Sequence, residues 1–349
     1  MVRKGTILNS LPYVLKKTKF DFLGKRHQGK VRDFYFFADK RILITTDRQS
    51  AFDVILGYIP FKGAVLNLLS AFWFKKTKHI VDNHMLTVPD PNVMVVKNCQ
   101  PIPIEMVVRG YLSGVTKTSI WTAYKKRERT IYGIKFPDGL KKNQKLPQPI
   151  ITPTTHPPPG AKVHDEKLTK EQILKRKIIP EKLYLKMEEI ALKLFDFGSL
   201  WCQKRGLILV DTKYEFGLYQ ENLTLIDEIH TPDSSRFWTK ESYDKLFSTD
   251  KNCEVPSQHS SDARMQTSER GKSGSGEPEN FDKEFLRLWY VKRGYRGDGV
   301  PPKMTKELVV AVAQRYIAVY EKITGKKFRA FSYPIDKRIK KNLLAFFKL

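Results

Sequence analysis

An α+β or mixed α/β fold is predicted, on three observations. The first hundred residues carry four short runs rich in β-branched and aromatic residues, grouped around one apolar run of helical length. The second half carries long amphipathic helical patterns on either side of the apolar run LILVD at 207–211. The chain has 349 residues, of which 41% are hydrophobic, enough for a sizeable core and for two lobes. No internal repeat is present.

The elements follow in order. Residues 31–37 (VRDFYFF) and 41–46 (RILITT), split by Ala38-Asp39-Lys40, predict a hairpin. Residues 93–97 (VMVVK) and 104–109 (IEMVVR) predict two more strands, separated by Pro101 and Pro103. Between the pairs, 64–74 (AVLNLLSAFWF) predicts a buried helix. A β-rich unit over 1–103 is therefore expected, followed by a larger unit over 104–349. Residues 136–160, ending in PTTHPPPG, have loop chemistry. Thr169 and Gln172 have the spacing of a capping box and open a helix. The next helix is the clearest. Pro180 suits its first turn, Leu183, Met187, Ile190, Leu194, Phe197 and Trp201 recur at three- and four-residue steps, and Gly206 ends it. A hairpin of 207–216 with 223–229 is expected to turn through GLYQEN. The polar stretch 248–280, which includes KSGSGEPEN, predicts a mobile insertion. Thr305 to Thr324 predicts a further helix closed by Gly325.

Composition narrows the function. Lys and Arg number 63 against 37 Asp and Glu, a net charge of +26 that draws anions. Nucleic acid and phosphorylated metabolites both meet that description. The cations are spread along the chain and match no named nucleic-acid motif, so no specific nucleic-acid partner is expected. No apolar run approaches the roughly 20 residues that span a bilayer, and no membrane partner is expected. The N-terminus lacks the apolar block of a secretory signal. Cys99, Cys202 and Cys253 form no metal or disulfide pattern. A cytoplasmic protein with reduced thiols is expected.

Five segments carry chemistry. In the first, Gly24 to Arg32, Gly29 and Lys30 fit part of a phosphate loop, but Val31 stands where a hydroxyl should hold a metal, and a strand follows instead of a helix. A glycine turn with Lys30 and Arg32 can still cover phosphates, and it also suits an ordinary basic turn. The second, Asp47-Arg48-Gln49-Ser50-Ala51-Phe52-Asp53, follows an apolar strand, with Lys62 a loop later. It suits a polar substrate or a self-bonded turn. In the third, Glu105, Val107 and Arg109 share one strand face, where Arg109 suits capture of a phosphate or a structural ion pair. The fourth is the most specific. Asp211, Lys213 and Glu215 share a strand face, and Asp227 is expected across the ladder from Glu215. Two such carboxylates suit Mg²⁺ with substrate phosphates, or a ladder of ion pairs. The fifth, Thr231 to Arg236, offers Asp233, Ser235 and Arg236 to a ribose phosphate, or closes a turn.

These segments, in this order, resemble the SAICAR synthetase family of purine biosynthesis. The resemblance rests on GKVRDFY at 29–35, TTDRQSAFD at 45–53, PIEMVVRGYLSG at 103–114, HDE at 164–166, VDTKYEFG at 210–217 and IDEIHTPDSSRFW at 226–238. It covers roughly residues 20–330. One signature departs: the family reads Thr or Ala and then Gly-Ser, where this chain has Ser113-Gly114-Val115. The resemblance implies a two-lobed fold with ATP in the cleft. It also implies ATP- and Mg²⁺-dependent joining of L-aspartate to carboxyaminoimidazole ribonucleotide (CAIR), through an acyl phosphate. It assigns ATP to Gly29, Lys30, Val31, Arg32 and Lys213, with adenine against the backbone of Ile104, Glu105 and Met106. Glu215 and Asp227 would carry Mg²⁺. Arg109 and Arg236 would clamp the CAIR phosphate, with Ser113 and Ser235 nearby. Asp165, Asp211 and Asp233 would orient CAIR. Asp47, Arg48, Ser50, Asp53 and Lys62 would stand near its carboxylate or the aspartate. Lys213, Asp211 and Lys62 are the expected catalytic set.

Overall fold

A computed structural model describes residues 2–116, 119–155, 166–248 and 276–348. Two antiparallel sheets dominate it. The N-terminal sheet has five strands in the order His27–Gln28, Arg32–Phe37, Lys40–Thr45, Val93–Lys97 and Met85–Asp90. The central sheet pairs Gln100–Tyr111 with Leu207–Tyr219. Lys145–Ile151 and Thr154–Thr155 lie on the outer side of the first, and Asn222–Ile226 and Ser235–Thr239 on that of the second.

The two middle strands of the central sheet have unlike faces because their sequences alternate. Ile104, Met106, Val108, Tyr214 and Phe216 point into the core, against Met187, Leu194 and Phe195 of the helix Glu181–Gln203. The alternate positions carry the charged groups. Burial of the apolar face thus fixes the register of the polar one, since a one-residue slip would exchange them. The expected helix at 64–74 is Lys62–Lys76, buried nearly all round against Lys306–Thr324. That surrounding explains why it shows no amphipathic stripe. Thr169 and Gln172 do form the capping box, and Gly325 closes Lys306–Thr324 with φ 71°.

Several expectations shift. Pro101 and Pro103 lie inside the strand Gln100–Tyr111, which runs through the expected boundary at 103. Proline is tolerated there because the ladder to the neighbouring strand breaks register between Glu215 and Gly217. The hairpin turns on Gln220 and Glu221, both at positive φ, so it is tighter than a loop through GLYQEN. Glu215 pairs with Ile226, and Asp227 follows at φ 63° as the strand ends. Residues 235–239 extend into a strand. Helices Lys283–Val291 and Ile335–Phe347 were not expected. The latter returns to the N-terminal sheet, burying Ile335, Ile339 and Leu343 there, with Arg338 on Asp90 at 2.9 Å. Most of the expected insertion, 249–275, lies outside the described residues, as does Cys253.

Candidate active site

The polar face of the two middle strands builds the site. Register places Arg109 beside Asp211, Val107 beside Lys213, and Glu105 beside Glu215. On the other side of Asp211 stands Arg236. A polar cavity of about 170 Å³ opens over this face, lined by Arg109, Asp211, Lys213, Asp233, Ser235 and Arg236 among others.

At one end, two buried arginines share an aspartate. Arg109 Nη1 lies 3.2 Å from Asp211 Oδ2 and Arg236 Nη2 lies 3.4 Å from it. Arg109 Nε also donates to Thr152 Oγ1 at 2.8 Å. Glu284 also stands 4.0 Å from Arg236, but it is paired with Arg287 at 3.1 Å, so three guanidinium groups against two carboxylates leave a net positive corner, suited to an anion. At the other end, Lys213 Nζ is 2.6 Å from Glu105 Oε1 and also contacts Glu215. Burial alone would lower the Lys213 pKa, but Glu215 and Glu105 raise it well above the ordinary lysine value. Arg32 crosses from the N-terminal sheet to the segment that follows the strand Asn222–Ile226. Its guanidinium lies 2.6 Å from Asp227 and 2.9 Å from Glu228. Burial opposes its charge, and Asp227 and Glu228 outweigh burial. Four carboxylates and two cations thus stand at the junction of the two sheets.

The cavity floor holds a second cluster. Asp233 Oδ2 meets Lys62 Nζ at 2.7 Å and Lys283 Nζ at 3.2 Å, while Tyr316 donates to Oδ1 at 2.7 Å. Burial would raise the Asp233 pKa, but Lys283 and Lys62 hold it below the usual carboxylate range.

The chain is similar to known proteins over most of its length. A sequence model of the family described as SAICAR synthetase matches residues 25–255. Phosphoribosylaminoimidazole-succinocarboxamide synthase of Legionella pneumophila (strain Paris) is 47% identical over 338 residues, covering 95% of this chain and 98% of its own. The chloroplastic enzyme of the same name from Arabidopsis thaliana is 44% identical, covering 97% of this chain and 77% of its own. The chain belongs to the SAICAR synthetase family. A solved SAICAR synthase from Saccharomyces cerevisiae, complexed with SAICAR, superposes with a TM-score of 0.69 at 30% identity, covering 90% of this chain and 99% of its own. The activity is therefore that of a ligase of purine biosynthesis, joining L-aspartate to CAIR at the expense of ATP. A nucleic-acid-binding protein and a small-molecule phosphotransferase are not favoured. No described helix is long and apolar enough to cross a membrane.

Not every expected residue joins the cavity. Asp47 is buried, accepting from Leu15 N at 3.0 Å and Gly63 N at 2.9 Å, so it caps the helix Lys62–Lys76. Burial, partly offset by those bonds, pushes its pKa up to about 6. Arg48 spends its donors on the carbonyls of Lys16, Gly29 and Lys30 and on Asp33 Oδ1 at 2.8 Å. It fixes the glycine turn from behind. Ser50 is buried in the strand Arg48–Ala51. Asp53 sits on an exposed turn against Lys30 at 2.6 Å. Gly29 closes the turn by donating to Arg32 O at 2.7 Å, with Val31 buried beneath. The Ile104 and Met106 side chains face the core. The backbone at 104–105 is taken by Thr155 and Thr154, and that at 105–106 by Glu215 and Tyr214. Ser113 lies behind Arg236. Asp165 lies outside the described residues.

Sequence reasoning missed Asp282, Lys283 and Arg287, which also line the cavity. Lys283 and Arg287 stand four apart on one helix, a spacing that puts both on one face. The spacing was legible in FDKEFLRLW, but it reads equally as a solvated basic face.

Proposed function

We propose that the Arg109–Asp211–Arg236 corner receives the phosphate and ribose of CAIR, and that Lys213 and Arg32 meet the ATP phosphates. One observation carries this reading: a single sheet face sets a two-arginine anion corner beside a lysine among carboxylates. A carboxylate is a poor acyl donor, so the order of events follows. A CAIR carboxylate oxygen attacks the γ-phosphorus of ATP and ADP leaves. The aspartate amine then attacks the acyl carbon, the bond to the phosphate oxygen breaks, and the amine gives up its extra proton. The protein's share is to align the reactants and neutralise charge. Lys213 is the proposed catalytic cation. Asp211 and Asp233 orient CAIR by accepting from its hydroxyls. Lys62 acts through Asp233, as a positioning residue.

Mg²⁺ belongs to the same proposal. The hard oxygens of Glu215 and Asp227, close to Lys213 and Arg32, fit an ion carried by one or two carboxylates and substrate phosphates. When bound, it would neutralise the triphosphate. Among the described residues no group of three or more His, Cys, Asp or Glu could hold a metal. A cytosolic setting is also proposed, supported by the unpaired thiols of Cys99 and Cys202.

The test is ADP release from ATP and Mg²⁺ with CAIR, with and without L-aspartate. Release that requires both, with a succinocarboxamide product by mass, supports the reading. ADP release that does not require CAIR would overturn the order of events.

A further inference from the structure

Arg236 is held by a polar chain that leads away from the cavity. Its Nη1 donates to Ser113 Oγ at 3.2 Å. Ser113 Oγ donates to Asn143 Oδ1 at 3.0 Å, and Asn143 Nδ2 donates to Glu277 Oε2 at 2.8 Å. Glu277 Oε1 is paired with Lys142. Every bond runs in one direction, from guanidinium to carboxylate. That fixes the Asn143 amide, which must turn its oxygen to the serine and its nitrogen to the carboxylate. Ser113 is 4% exposed and Asn143 fully buried, so water does not compete for these groups. Asn143 adopts φ 65°, which asparagine tolerates better than most residues. Its backbone donates to Leu112 O at 2.8 Å, tying the loop to the segment that carries Ser113. Gly114 lies against the guanidinium as well: a Cβ there would stand 2.7 Å from Arg236 Nη1.

The chain has an electrostatic logic. The other partners of Arg236 are acidic, Asp211 at 3.4 Å and Glu284 at 4.0 Å. A third carboxylate in contact would repel a phosphate. Ser113 offers a neutral hold, and the charge that anchors it sits two bonds further out, balanced by Lys142. The hydroxyl also stands at 113 in a chain that has Val115 where the resembled family has serine.

We propose that Asn143 and Glu277 are positioning residues for CAIR, aiming the Arg236 guanidinium at its phosphate through Ser113. The proposal rests on the reading that Arg236 meets that phosphate. The test is steady-state kinetics of Ser113→Ala, Asn143→Ala, Glu277→Ala and Glu277→Gln, titrating CAIR, ATP and L-aspartate separately. Asn143→Ala and Glu277→Ala should raise KM for CAIR about tenfold, the worth of one misplaced hydrogen bond, with kcat and the other KM values within about twofold. Glu277→Gln keeps an acceptor for Asn143 and should stay near the parent. The double variant Ser113→Ala/Glu277→Ala should be no worse than Ser113→Ala, because both cut one chain. Additive losses would overturn the proposal, as would lower activity with an unchanged KM for CAIR. If Asn143→Ala fails to fold, the Glu277 pair decides, since that side chain is 19% exposed and sits at the edge. Arg236→Lys separates the two levels. An unchanged KM for CAIR there overturns the reading of Arg236 itself. A raised value, with Asn143→Ala and Glu277→Ala unchanged, overturns the positioning chain alone.

Discussion

Arg48 and Arg236 make a useful pair. Both are buried arginines, both stand on short strands, and each lies against an aspartate. Arg48 has three backbone carbonyls and Asp33 around it, so its donors are spent inside the protein. Arg236 is held by one neutral oxygen at 3.2 Å and by looser acidic contacts, and it lines the cavity. A charged motif residue is available to a ligand only where the fold leaves part of its hydrogen-bonding capacity unspent. The same contrast separates the two regions they belong to. The Asp33–Arg48–Asp47 knot braces the glycine turn and a helix start, whereas the Arg109–Asp211–Lys213 face is open to substrate.

The largest effect expected from this contrast is on turnover. Lys213→Met should lower kcat about a thousandfold, about 4 kcal/mol of transition-state stabilisation. Its denaturation midpoint should fall only modestly, because the Lys213 side chain is 30% exposed and lines the cavity, so water can enter where its ammonium stood beside Glu105 and Glu215. A kcat within tenfold of the parent would remove Lys213 from the catalytic set. Arg48→Met should do the reverse. Breaking its buried pair with Asp33 should cost about 4 kcal/mol of stability, with kcat per folded molecule nearly kept. A stable Arg48→Met protein that cannot turn over would place that arginine in the chemistry after all.

The two buried aspartates sharpen the comparison through pH. Asp47 touches no cation directly, and burial pushes its pKa up to about 6. Between about pH 4 and 6 the native state therefore holds a proton that the unfolded chain has released. Its contribution to stability falls as pH rises through that window, by about 3 kcal/mol in all. Asp233 is held below the usual carboxylate range by Lys283 and Lys62, against the opposing effect of burial. Its contribution is complete above about pH 4 and is lost as pH falls further. Urea midpoints across pH 3 to 7 check both signs. Asp47→Asn should flatten the slope between pH 4 and 6, and Asp233→Asn should flatten it below pH 4. An Asp47→Asn profile parallel to the parent throughout would show that Asp47 is charged in the folded state.

What was legible follows the same physics. Period-two alternation put Glu105 and Arg109 on one face, and Asp211, Lys213 and Glu215 on another. Register alone joined the two faces, and an apolar core on the reverse fixed that register. The role of Arg48 was not legible, because its partners at Lys16, Gly29 and Lys30 are backbone carbonyls, which no side-chain pattern announces. Nor was the contribution of Lys283 and Arg287. It depends on where the chain returns after 249–275, and a basic helical face looks alike in water and over a cavity. The residue-to-fold step was strongest for amphipathic helices such as Glu181–Gln203. It was weakest for strands like Ser235–Thr239, whose polar start reads as a turn.

Gly217 gives the smallest effect and a final check on the comparison. It closes the most specific segment, VDTKYEFG, where glycine invites reading as a turn. The turn lies further on, at Gln220–Glu221. Gly217 is instead inside the strand Leu207–Tyr219, opposite Pro101, just past the register break that admits the prolines. A Cβ there would stand 2.8 Å from Gln100 O and 3.1 Å from Cys99 Cβ. The contact is with backbone and cannot be relieved by a rotamer change. Gly217→Ala should therefore cost about 2 kcal/mol by overpacking. It should also push the Gln100–Tyr111 strand away at the end that carries Glu105, two ladder positions from the Lys213–Glu215 pair. The expected readout is a lower denaturation midpoint with a two- to threefold fall in kcat, roughly 0.5 kcal/mol, and an unchanged KM for CAIR, because the arginine corner lies at the far end of the same strands. A raised KM for CAIR would mean that the two ends of the face move together, and that the braced and open regions are less separate than Arg48 and Arg236 suggest.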